Sequence, residues 1–167
     1  MISPEELPKL AKEHSKTHQR LLGDLKKKKP KDLDQTMLLL HQEVFEQTDC
    51  LSCGSCCRTT GPLFTTKDIE RISKKLKLKP GEFVSSYLKI DQEGDYVLQK
   101  LPCPFLDLSD NFCSIYQDRP KACREFPHTD RRDFQNISTL TLENVKICPA
   151  AFGVVQKLAL VYEKNKK

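Results

Sequence analysis

From Pro4 to Lys29, Leu7, Leu10, His14, His18, Leu21 and Leu25 recur at three- and four-residue steps, the spacing of an amphipathic helix with one inward seam. The lysines at 26 to 29 and then Pro30 end that pattern. A second helix is expected near 32–48, with Leu33, Met37, Leu40 and Val44 on one face and Leu38 and Phe45 beside it. The two read as a helical hairpin over 1–48, part of the same domain as residues 49–167, and they deliver the chain into a cysteine-rich stretch.

Beyond that stretch, Thr65 with Asp68 three residues on has the form of a capping box, and Ile69, Ile72 and Leu76 mark the inner face of a third helix. Pro80 suits the first turn of a fourth, carrying Phe83, Val84, Tyr87 and Leu88. Periodicity then shortens. Residues 96–101 and the segment LDLSDNFCSIY read as short strands, the second turning at Ser109-Asp110-Asn111. Residues 119–132 are basic and proline-punctuated, which predicts short turns, and Pro149 opens a last helix through Phe152, Val155, Leu158 and Tyr162. The fold class is mainly α (α+β): a helical domain with a small short-stranded sheet.

Length and composition bound this picture. A chain of 167 residues suits one domain, and with 38% hydrophobic and 31% charged residues its core should be modest. The formal charge of +5 omits thiols, and eight thiolates holding two divalent ions would leave about +1. Net charge is therefore no argument for nucleic acid, and aromatics at 7% form no basic and aromatic stripe that would support one. The opening MISPEELPKLAKEH breaks any signal-peptide apolar run with acids and lysines, and no later segment approaches a membrane span. The expectation is a cytoplasmic protein without a membrane partner. In that reducing compartment eight cysteines are poorly explained as disulfides, and the arithmetic points to metal ion.

Four of the eight thiols fall in the octapeptide CLSCGSCC, too short to form a core of its own. A C-x-x-C loop wraps two thiolates around one ion, and Cys50, Cys53 and Cys56 repeat that spacing twice. Cys103, Cys113, Cys123 and Cys148 are scattered, so they can reach such a centre only through the fold, which would then be organised around a cysteine metal cluster. Adjacent Cys56 and Cys57 point in different directions and leave one site or two open. No familiar single-metal template is complete. A zinc ribbon would need a second C-x-x-C, and residue 60 is Thr where a ferredoxin or radical S-adenosylmethionine pattern wants cysteine.

Taken together, CxxCxxCC at 50–57, Cys103-Pro-Phe-Leu106, Cys113-Ser-Ile-Tyr116, Arg119-Pro120, Cys123-Arg124 and Phe126-Pro127 resemble the YkgJ-type cysteine cluster family, whose described role is chelation of zinc or iron and which includes flagellin N-methylase. The resemblance spans about residues 50–127, with Cys148 a late addition. It implies metal binding by Cys50, Cys53, Cys56, Cys57, Cys103, Cys113 and Cys123, with zinc, iron or an iron-sulfur cluster as the cofactor. Arg58 and Arg124 could offset thiolate charge and donate to sulfur.

Weaker signals are outweighed. His14 and His18 have zinc-compatible spacing, but HSKTH lacks a catalytic Glu and both lie on the leucine seam. His128 is an outside candidate for a ligand. The six glycines form neither a phosphate loop nor a dinucleotide fingerprint, and no Ser/His/Asp triad can be nominated, so catalysis is not visible. The leading expectation is a metal-binding protein. An iron-sulfur-dependent protein lysine N-methyltransferase-like enzyme and a thiol redox or metal-delivery protein are the alternatives, and the N-terminal helices offer a face for a protein partner.

Overall fold

The computed structural model describes residues 2–164. It is mostly helical, at 59%, with a small three-stranded antiparallel sheet. Among these residues the backbone divides into two compact units, one from residues 2–49 and 127–164, the other from residues 50–126.

The first unit is helical among the described residues: α1 (Leu7–Lys28), α2 (Leu33–Phe45), α8 (Ser138–Asn144) and α9 (Pro149–Lys164). Helix α1 starts three residues later than the periodicity predicts. Ser3 and Glu6 instead exchange backbone-to-side-chain hydrogen bonds of 3.1 and 3.2 Å, which hold a turn ahead of Leu7. Lys29 ends the helix in the left-handed region, φ 46°, with its N–H bonded to the Leu25 carbonyl at 2.9 Å. Of the expected α1 seam, Leu7, His18 and Leu25 are buried and Leu10, His14 and Leu21 only half-buried, while Ala11 and Leu22 take buried places beside them. Leu22, Leu25, Leu33 and Met37 bury against Phe134, Val154 and Leu158, while Leu7 and Ala11 pack with Val145, Ala151, Phe152 and Val155. Asp34 fixes Phe134 over that core by accepting the N–H groups of Asp133 and Phe134 at 2.7 and 3.0 Å.

Helix α8 has no counterpart in the sequence reading, because STLTLEN carries two threonines and a weak apolar period. Buried Thr141 bonds locally back to the Ile137 carbonyl at 3.0 Å, and a longer-range bond, from the buried Asn144 amide to the Pro127 carbonyl at 3.0 Å, holds the helix where its propensity is weak.

The second unit holds α3 (Cys50–Cys53), α4 (Ser55–Thr59), α5 (Thr66–Lys75), α6 (Pro80–Tyr87) and α7 (Lys121–Glu125), with strands β1 (Leu63–Phe64), β2 (Leu88–Ile90) and β3 (Tyr96–Leu98). The sheet order is β1-β3-β2, pairing Leu63 with Val97 on one side and Leu88 with Leu98 on the other. Strands β1 and β2 are too short for alternation to reveal. LDLSDNFCSIY forms only one isolated bridge, Leu106 to Cys113, since the Leu106 N–H turns back to the Cys103 carbonyl at 3.1 Å instead of extending a ladder.

Fully buried Phe83, worth about 1.5–3 kcal/mol in transfer terms, packs its ring 5.3 Å from Tyr87 and 6.2 Å from Phe105. Around them lie Phe64, Ile69, Ile72, Leu88, Leu98 and Ile115. Cys103 and Cys113 pack against this cluster, so the core of the unit directly supports two of the thiols.

Candidate metal centre

CLSCGSCC folds as two single-turn helices joined at Gly54. Cys50 and Cys53 lie in α3, Cys56 and Cys57 in α4. Gly54 has φ 60°, a conformation that L side chains rarely adopt, and a Cβ built there would lie 2.6 Å from Asn111 Oδ1. A glycine at the joint therefore satisfies both the backbone and the space. The Cys53 thiol donates to Ser55 Oγ at 3.3 Å, and the sulfurs of Cys56 and Cys57 are 4.0 Å apart.

The later cysteines come from separate segments of the same unit. Cys103 and Cys113 each begin a tight turn, closed by the Leu106 and Tyr116 N–H groups on the respective cysteine carbonyls, each at 3.1 Å. These turns direct backbone N–H groups at sulfur: Phe105 and Leu106 at Cys103, Ile115 at Cys113. The Cys103 N–H also donates to the Cys57 carbonyl at 2.8 Å, tying the cluster loop to the second half of the unit. Cys123 is carried by α7, its N–H bonded to the Pro120 carbonyl at 3.0 Å.

Electrostatics groups four of these thiols. The Cys56 hydrogen bond brings Cys57 down to about 7 against the opposing effect of burial, with Arg58 helping to lower it. Burial pushes Cys103 up to about 11 and Cys123 up to about 12, and it raises Cys113. In all three the charge on Cys57 adds to the rise, and Cys103 and Cys113 raise Cys123 further. Like charges that crowd in a half-buried setting hold each other protonated until a cation offsets them.

Arg119, of the Arg119-Pro120 motif, lowers Cys113 and Cys123. Its guanidinium lies 4.0 Å from the centre of the Tyr116 ring and donates to the Tyr116 carbonyl at 2.7 Å. Arg58, expected to donate to sulfur, donates to the Leu108 carbonyl at 3.2 Å and to Asn111 Oδ1 at 2.5 Å. Its bonds therefore brace the 108–111 turn, while its charge still favours the Cys57 thiolate.

The start of α7 rests on a carboxylate whose reach the capping box only half reveals. Asp68 is 1% exposed. Its Oδ2 closes the box with the N–H and hydroxyl of Thr65, at 3.0 and 2.7 Å. Its Oδ1 accepts from Arg71 at 2.7 Å and from the Lys121 N–H at 3.1 Å. Arg71 also donates to the carbonyls of Asp118 and Arg119, at 3.1 and 3.0 Å. One carboxylate thus caps two helices and anchors the segment bearing Arg119 and Cys123.

The remaining candidates lie in the other unit. Cys148 sits ahead of α9, its sulfur accepting the Ala151 N–H at 3.4 Å, and packs against the core cluster that contains Phe152 and Val155. His14 and His18 are clamped by Gln156, whose amide nitrogen meets His14 Nδ1 at 2.8 Å and whose oxygen meets His18 Nε2 at 3.2 Å. Both rings also contact the edge or face of Phe152, which makes them packing residues of the α1 seam. His128 belongs to this unit as well.

Among the described residues, no group of three or more His, Cys, Asp or Glu side chains is arranged to hold a metal ion as it stands. The donor set nevertheless fits zinc or iron chemically, with thiols at neighbouring charge-coupled positions, N–H groups directed at two sulfurs, and arginine charge beside them.

Fold and site define a mostly helical cysteine-rich protein whose thiols are supplied by several separate segments. The family model CxxCxxCC, described as "Putative zinc- or iron-chelating domain", matches residues 49–148, and the chain belongs to that family. No solved structure matches the chain. No helix among the described residues is long and apolar enough to cross a membrane.

Proposed function

We propose that the protein chelates zinc or iron through the thiolates of Cys57, Cys103, Cys113 and Cys123, with Cys50, Cys53 and Cys56 on the adjoining loop available as further ligands. The observation that carries the reading is that thiols from segments far apart in sequence come together: the Cys103 N–H bonds to the Cys57 carbonyl, and the charge on Cys57 reaches Cys103, Cys113 and Cys123. The family membership supports chelation as the role. A bound divalent ion would supply the positive charge that lets these half-buried thiols ionise, and it would cross-link the loop, the two cysteine turns and α7. The residues themselves direct N–H groups at sulfur and keep arginine charge at the rim. An iron-sulfur cluster is the alternative occupant of the same thiols.

Anaerobic purification followed by elemental analysis and a visible spectrum tests this, since zinc-loaded protein is colourless and an iron-sulfur protein is brown. Stoichiometric metal that is lost in Cys123→Ser, with a lower melting temperature after chelation, is the expected result. Metal-free protein whose melting is insensitive to chelators and added metal would refute it.

A further inference from the structure

We propose that Asn111 is a positioning residue for the thiol centre, a latch that holds the loop between Cys53 and Cys56 against the turn leading into Cys113. The inference rests on the chelation reading above, but concerns a residue that cannot itself be a thiolate ligand.

Three contacts converge on the Asn111 side chain. Its Nδ2 donates to the Ser52 carbonyl at 3.0 Å, inside the first C-x-x-C. Its Oδ1 accepts from Arg58, one residue past Cys57. The same oxygen occupies the space that a side chain at position 54 would need, so Gly54 and Asn111 are complementary in shape. Only a side chain with both a donor and an acceptor at this reach makes these bonds together. A carboxylate could keep Arg58 but could not donate to Ser52.

The turn that presents the latch is itself braced. Asp107 Oδ1 accepts the Ser109 N–H and hydroxyl at 2.8 and 2.6 Å, and Asp110 Oδ1 accepts the Phe112 N–H at 2.8 Å. The Asp107 N–H closes on the Phe112 carbonyl at 2.8 Å. Asn111 has φ 62°, which asparagine tolerates better than most residues, so its identity serves backbone and side chain alike. Two residues on, Cys113 bridges to Leu106. Together with the Cys103 N–H on the Cys57 carbonyl, the latch fixes the loop at two points on either side of Gly54.

The test uses the full chain, made metal-free under anaerobic conditions and titrated with Co(II), whose thiolate charge-transfer and d–d bands report ligand number and geometry. Asn111→Gly removes the side chain while keeping the left-handed backbone, and Asn111→Asp keeps the acceptor alone. Both are expected to lose at least about tenfold in Co(II) affinity, with weakened d–d bands and unchanged helical circular dichroism. In the metal-free protein, mass-resolved alkylation of Cys50, Cys53 and Cys56 should accelerate several-fold in both variants, relative to Cys148 in the same sample. Co(II) bands and alkylation rates matching the unsubstituted protein would overturn the latch. Should the unsubstituted chain itself give no thiolate bands, the chelation reading falls, and the alkylation rates alone then decide whether Asn111 holds the loop.

Discussion

Replacing Asp68 by alanine removes three supports at once. The capping box at α5 is worth about 1 kcal/mol, and its bonds to Thr65 span 2.7–3.0 Å. The Lys121 N–H loses its acceptor at the start of α7, a loss of about 1–3 kcal/mol where no water replaces it. Arg71 loses its carboxylate, but with its side chain 31% exposed it keeps access to solvent, so that pair adds no more than about 1 kcal/mol. The sum is about 2–5 kcal/mol, measurable by urea unfolding followed through far-UV circular dichroism.

The loss should be pH-dependent. Burial opposes ionisation of Asp68, but the bonds from Thr65, Arg71 and the Lys121 N–H outweigh it and hold the carboxyl below its ordinary value of 3.8. Its contribution is thus complete above that value and disappears as pH falls through the lower folded-state value. Asp68→Asn should flatten the acid limb of the stability profile relative to the unsubstituted protein. An Asp68→Ala variant within about 0.5 kcal/mol of the unsubstituted chain would refute the account of one carboxylate serving two helices.

Two further outcomes follow from local geometry. Gly54→Ala should cost about 2–3 kcal/mol in urea unfolding, about 1–2 from the left-handed backbone and the rest from displacing the Asn111 amide, whose oxygen lies 2.6 Å from the new Cβ; a loss under about 0.5 kcal/mol would show that the joint relaxes freely. Burial lowers His18, so the neutral ring is favoured and stability should decline as pH falls below the ordinary histidine range near 6.5. His18→Leu should reduce that decline without abolishing it, because burial also lowers His41 against the opposing pull of Asp130. An unchanged urea midpoint difference between neutral and mildly acid pH would contradict this.

The helices were legible wherever one apolar face repeats over several turns, as in α1, α2 and α9, or where a cap is local, as at Thr65 and Asp68. The second use of Asp68 was not, since nothing local pairs residue 68 with residue 121. The same distance hid Asn111, whose three partners lie in 52–58. Thiol identity and spacing are written in the sequence, whereas the residues that aim the thiols act through backbone atoms that carry no sequence signature. Arg58 illustrates the difference. Its charge and proximity to Cys57 were readable, but its bonds to Leu108 and Asn111 depend on how a distant turn folds back.

That division bears on how the cysteines are used. A nucleophilic or redox cysteine needs a thiolate near neutral pH, and Cys57, at about 7, meets that condition. Cys103 and Cys123, pushed up to about 11 and 12, do not. Burial and the charges of neighbouring thiols make them poor nucleophiles, yet a divalent cation reverses both effects by exchanging protons for metal bonds. The N–H groups directed at Cys103 and Cys113 would then bond to ionised sulfur, which they favour over the thiol. A cation that offset these charges would meet Cys57 as the first thiol to ionise, with the others following as protons are exchanged for metal bonds.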